Sequence, residues 1–191
     1  MERLSAELTR LEHIARDFYA GRISRDEGRS AVIDVILDRL HCSRVSLWRF
    51  DGDAGDRRLL CFAAKVAGAE LDVTEHRLHE PEYRDYFDGL VNNGMFVSAD
   101  ALADPLLQPM RENYLIANGV RSLLDAAFLV NGRAYGMVCC EQTDTVRHWG
   151  TDEIAALRTM VAKLALLMAG GADEALWKSR SLPMTRLDLP A

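Results

Sequence analysis

Apolar residues recur with a period near two in the middle of this chain and with a spacing of three and four at both ends, a pattern that predicts a sheet flanked by helices. The strongest sheet signal runs from Ser122 to Glu141: SLLDAAFLV, then Asn131-Gly132, then RAYGMVCCE. Asn-Gly between two apolar runs predicts a tight hairpin, because both residues tolerate the positive φ of a type I′ turn. A two-residue loop sets Leu123, Asp125, Ala127 and Leu129 on one face with Cys140, Val138, Gly136 and Ala134. Leu124, Ala126, Phe128 and Val130 then share the other face with Cys139, Met137, Tyr135 and Arg133. The first face is small and carries a lone acid, and the second is bulky. Neither face is polar enough for open solvent, so the hairpin is expected mid-sheet.

The two ends read as helices. Leu4, Leu8, Leu11, Ala15 and Phe18 form a narrow heptad seam over residues 2 to 20, closed by Gly21. Ile154, Leu157, Val161, Leu164 and Met168 repeat that rhythm after Thr151, read as the helix cap. Seams of this width ask for a partner helix. Ser24 and Glu27 form a capping box for a second helix reaching about Leu40, with Ala31, Val32, Val35, Ile36 and Leu40 inward.

Between these ends, Ser43 to Phe50 and Leu59 to Val66 predict a second hairpin around Asp51-Gly-Asp-Ala-Gly. Pro81 starts a short helix carrying Tyr83, Tyr86, Phe87 and Leu90. A brief strand is expected at Met95 to Ser98, a loop from Asp100 to Pro109, and a short helix from Gln108 to Asn118. The last twenty residues after Gly170-Gly171 read as a loosely held tail, with a short helical turn near Ala175 to Lys178.

Composition narrows the function classes. The chain has 191 residues, a formal charge of −6 and no Lys/Arg cluster, which argues against a nucleic-acid or anionic-membrane surface. No apolar run approaches the ~20 residues needed to span a bilayer, and the charged first helix is unlike a signal peptide, so a cytoplasmic location is expected. Cys42, Cys61, Cys139 and Cys140 form no C-x-x-C pair and no zinc-spaced set, so they read as reduced thiols.

The ordered phrases RVSLWRF (44 to 50), PEYRDYFDGL (81 to 90), DALADP (100 to 105), YLIANGVRSLLDA (114 to 126), GRAYGMVCCE (132 to 141) and RHWGTDE (147 to 153) resemble the GAF domains attached to bacterial sensor histidine kinases and cyclases. The resemblance covers about residues 24 to 169. It implies an α+β fold: a central antiparallel sheet, with terminal helices on one face and short pocket helices on the other. Residues 1 to 23 are then a dimerisation helix and 170 to 191 the tail. No ligand follows from the resemblance, because relatives bind cyclic nucleotides, haem, bilins, iron, metabolites or nothing known. The cyclic-nucleotide signature is absent. Bilin-linking and methionine-sulfoxide-reducing versions use cysteines in the middle region, and residues 67 to 118 hold none. Where relatives often show Cys-His-Glu, this chain has Cys139-Cys140-Glu141.

Asp125 is the sharpest candidate, because an acid inside an apolar strand must find a donor. That donor is a ligand or a structural partner, and the structural reading comes first because the acid resembles a common feature of the subfamily. Tyr83, Tyr86, Phe87 and Tyr114 either line a pocket or close the core. His76 and His79 offer haem or metal ligation, although no carboxylate or thiol stands beside them in a ligand pattern. Cys140, placed on Asp125's side, is a candidate redox thiol. No nucleophile, base and orienter set or phosphate loop supports an enzyme.

The expectation is a sensory or regulatory module that binds a small molecule, dimerises through its first and last helices, and signals to a separate protein. The alternatives are an interaction module whose pocket is filled by its own side chains, and a haem or thiol redox sensor. The cofactor is unknown.

Overall fold

A computed structural model describes residues 2–66, 69–72, 76–130 and 133–169. The Asn131-Gly132 turn, the side chain of Met168 and the tail from 170 onward lie outside the described residues.

Helix α1 (Glu2–Tyr19) stops where Gly21 takes φ 68° and the Gly21 and Arg22 amides fold back onto the carbonyls of Phe18 and Asp17. Helix α2 (Arg25–Leu40) opens with the predicted capping box: the Glu27 amide donates to Ser24 Oγ at 3.2 Å and the Ser24 amide to Glu27 Oε2 at 2.7 Å. Strands β1 (Arg44–Asp51) and β2 (Arg58–Val66) pair as the expected hairpin. Two short strands, β3 (Ala69–Glu70) and β4 (Arg77–His79), pair with β2. A 3-10 turn at Glu80–Glu82, started by Pro81, leads into α3 (Arg84–Asn93) and then β5 (Met95–Ser98). The stretch expected to be a loop holds a 3-10 segment at Pro105–Met110, followed by a π-type turn at Arg111–Ile116. Asp104 starts it by accepting from the Leu106 amide at 3.0 Å, a local side-chain bond that favours turns. Strands β6 (Val120–Val130) and β7 (Arg133–Thr143) and helix α4 (Thr151–Ala169) complete the fold.

The strand order is β3-β2-β1-β7-β6-β5, antiparallel throughout, so β6 and β7 lie mid-sheet as their apolar faces require. Helices α1, α2 and α4 form the layer on one face, and α3 with the 105–116 segment forms a cover on the other. This is the α+β arrangement that the resemblance implied.

One expectation about the central hairpin fails. Leu129 pairs with Ala134 as an ideal turn requires, but the register then slips, and Phe128 faces Gly136. Tyr135 is the extra residue, as in a β-bulge. A slip of one residue exchanges the faces of everything beyond it. Asp125 therefore sits opposite Cys139 instead of Val138, and Leu123 opposite Glu141 instead of Cys140. Cys140 belongs to the α-helical side, with Leu124, Val45 and Val138, and does not face Asp125's side.

The terminal seams meet inside the chain. Leu11 is fully buried, Leu4, Leu8 and Phe18 pack around it, and Leu157, Val161 and Leu164 of α4 join the same core. Helix α4 begins at Thr151, and its cap is Gly150: that carbonyl accepts the Glu153 and Ile154 amides at 3.0 Å while Glu153 Oε2 reaches back to the Gly150 amide at 2.8 Å. Arg147 pairs with Glu153, stacks 4.5 Å over the Trp149 ring, and donates to the carbonyls of Leu40 and His41. The Arg-x-Trp phrase is thus a clasp between α2 and α4.

Candidate functional site

The cover-facing side of the sheet is not purely apolar. Register brings Ser46, Cys139, Asp125 and Phe96 into one row across β1, β7, β6 and β5. Arg44, Glu141, Leu123 and Ser98 form another. Two tyrosines of the cover bond to the two acids. Tyr86 of α3 donates its hydroxyl to Asp125 Oδ2 at 2.7 Å, with Met137 Sδ at 3.4 Å, and Tyr114 of the π-type turn donates to Glu141 Oε1 at 2.7 Å. Glu141 Oε2 accepts from Arg44 Nε, and the guanidinium lies 5.9 Å from the Tyr114 ring centroid. Trp48 Nε1 donates to Ser46 Oγ at 2.7 Å.

Asp125 and Glu141 are 0% exposed and Arg44 8%. Burial pushes the Asp125 carboxyl up to about 7, although Cys139, Tyr86 and the Cys140 amide favour its ionised form. Burial and the adjacent acid raise the Tyr86 hydroxyl well above its ordinary value, and burial with Glu141 does the same for Tyr114. Burial disfavours the Arg44 charge, but Glu141 more than offsets this and its pKa is raised. Two buried atoms, Asp125 Oδ1 and Arg44 Nη2, lack a hydrogen bond of regular geometry. Such groups cost free energy unless another donor or acceptor reaches them. The site therefore offers an acceptor that titrates near neutrality, a cationic donor and aromatic walls. Phe87, Leu107 and Leu115, all fully buried, pack in the same cluster as Tyr86 and Tyr114.

Of the residues expected here, the structure brings together Asp125, Tyr86, Phe87 and Tyr114, with the His76 ring edge-on to Tyr114 at 6.5 Å. Tyr83 packs at the margin of this cluster. Cys140 is excluded by the bulge. His79 is on the rim, bonded to Asp56 at 2.7 Å, and among the described residues no three His, Cys, Asp or Glu side chains converge as a metal site. Arg44, Ser46, Glu141 and Cys139 were missed. The signal for the first three was available: polar residues inside apolar strands.

An antiparallel sheet with a buried polar row, roofed by short helices and backed by terminal helices, defines an α+β domain. The chain belongs to the GAF domain family, whose model matches residues 26–168. Similar solved structures include the phycoerythrobilin-bound GAF domain of a cyanobacterial phytochrome, at 16% identity and TM-score 0.68 over 87% of this chain and 94% of that one. The Thermosynechococcus elongatus PixJ GAF domain in its blue-light absorbing form matches at 19% identity and TM-score 0.60, covering 76% and 88%. The chromophore-binding domain of Stigmatella aurantiaca bacteriophytochrome matches at 17% and 0.60, covering 84% and 60%. No curated protein matches the sequence significantly. Among the described residues no helix is long and apolar enough to cross a membrane.

Proposed function

We propose that this chain is a cytoplasmic sensory module that acts by binding rather than catalysis, and that its recognition site is the polar cluster beneath the cover. The observation that carries this reading is the pair of tyrosine–carboxylate bonds, each 2.7 Å, that fasten the cover to the sheet beside two buried polar atoms without regular partners. A small molecule with a donor for Asp125 and an acceptor for Arg44 would satisfy both atoms and compete with Tyr86 and Tyr114 for the acids. The cover would then shift. Strand β6 carries Asp125 on one face and packs against α4 with the other, so a change at the acid reaches the terminal helices. A homodimer through α1 and α4 passes that change to a separate effector. The half-buried Leu4, Leu8 and Phe18, with the exposed Tyr19 and Leu166, support an interface there.

Relatives hold bilins, but the residues here do not fit a linked bilin: positions 67 to 118, which include the whole cover, contain no cysteine. A second reading, a site permanently filled by its own side chains, draws on the complete burial of Phe87, Leu107 and Leu115. A thermal-shift screen against small polar metabolites separates the two readings, because a ligand bound only by the native state raises the Tm. Stabilising compounds that lose their effect in Asp125→Asn support the first reading. A panel with no stabilising compound supports the second.

A further inference from the structure

We propose that Cys42 and Cys140 form an oxidisable dithiol, in which Cys42 reacts first with a peroxide and Cys140 resolves it to an intramolecular disulfide. The two residues are far apart in sequence, and the fold brings them into one core beside the β1–β7 pairing. His41 takes a left-handed φ of 49°, which turns the chain sharply out of α2. Ser43 is then bonded to the Glu141 carbonyl at 3.0 Å, and Val45 lies opposite Cys140. Between these points the half-buried Cys42 packs against the core that holds the fully buried Cys140, and its thiol donates to the Arg44 carbonyl at 3.5 Å.

The surroundings divide the labour between the two sulfurs. The neighbouring Cys140 lowers the Cys42 pKa against the opposing effect of burial, and the charge of Arg147 helps. Arg147 is held over this junction by bonds to the Leu40 carbonyl at 2.6 Å and the His41 carbonyl at 3.0 Å. Burial drives the Cys140 pKa up, so it keeps its proton until the second step. Cys61 is an internal control. It is also only half-buried, yet desolvation pushes its thiol up to about 12.

In the first step the Cys42 thiolate attacks one oxygen of hydrogen peroxide. The O–O bond breaks, hydroxide departs and takes a proton as water, and Cys42 becomes a sulfenic acid. In the second step the Cys140 sulfur attacks the Cys42 sulfur. The S–O bond breaks, the hydroxyl leaves with the Cys140 proton as a second water, and two thiols have given two electrons to the peroxide. The product ties the α2–β1 junction to the central strand, one residue from Glu141.

The test is peptide mapping of the full chain after exposure to hydrogen peroxide at neutral pH, with iodoacetamide added after denaturation. The expected result is a peptide cross-linked between Cys42 and Cys140, with Cys61 and Cys139 alkylated. Before oxidation, Cys42 in the native chain should be alkylated at least about tenfold faster than Cys61. In Cys140→Ser, or in the apolar Cys140→Ala if serine disturbs the core, dimedone should label Cys42. Absence of the cross-linked peptide in the unmutated chain, oxidation of Cys61 as fast as of Cys42, or no dimedone adduct in a folded Cys140 variant would overturn the proposal.

Discussion

Replacing Asp125 with Asn isolates the electrostatic cost of the buried acid. Asp125 has an ordinary pKa of 3.8 and a folded value of about 7, raised chiefly by burial. The folded chain therefore holds this proton more tightly than the unfolded chain. Its contribution to stability is fullest below about pH 4, declines as pH rises, and levels off above about pH 7. Between about pH 5 and about pH 8 roughly two pH units of that decline are traversed, at about 1.4 kcal/mol each, so the acid costs on the order of 2–3 kcal/mol more at the higher pH. Asn does not titrate. Its own drawback, an amide that needs a buried acceptor, is the same at both pH values and cancels in the comparison. Urea unfolding of both proteins at each pH gives the four stabilities required. The variant should gain about 2–3 kcal/mol relative to the parent on going from about pH 5 to about pH 8. A variant whose stability tracks the parent's within about 0.5 kcal/mol across that range would refute the buried, shifted acid.

Glu141→Gln keeps an acceptor for Tyr114 but leaves the buried Arg44 guanidinium without its counter-charge, and it should cost about 3 kcal/mol or more in urea unfolding. A loss below about 1 kcal/mol would mean that Arg44 finds other compensation. Ser24→Ala removes the acceptor of the α2 capping box and should cost about 1 kcal/mol with an unchanged urea m-value. An unchanged midpoint would show that Glu27 alone holds that helix end.

Much of the fold was legible because local chemistry and tertiary role agree. The Ser24–Glu27 box, the left-handed Gly21 and the alternation around Asp51-Gly52 each dictate one structure, and the structure contains all three. The site was less legible, for a specific reason. Pattern reading assigns faces by counting from the turn, and the bulge at Tyr135 inverts that count. Asp125 is buried as its place in an apolar strand implies, yet the residue opposite it is Cys139, and Cys140 lies on the other side of the sheet. Arg44 and Glu141 are far apart in sequence and face each other across the pairing of β1 with β7, and only the assembled register makes them partners. The heptad seams were read correctly as packing stripes, but much of what they pack against proved to be α2 and each other.

Native mass spectrometry of the purified chain, incubated with the stabilising compounds from the thermal-shift screen, addresses the central claim most directly. The account predicts a dimer that retains a small-molecule mass, with retention weakened in both Asp125→Asn and Glu141→Gln. A bare monomer under all those conditions, or a retained mass indifferent to both substitutions, would contradict it.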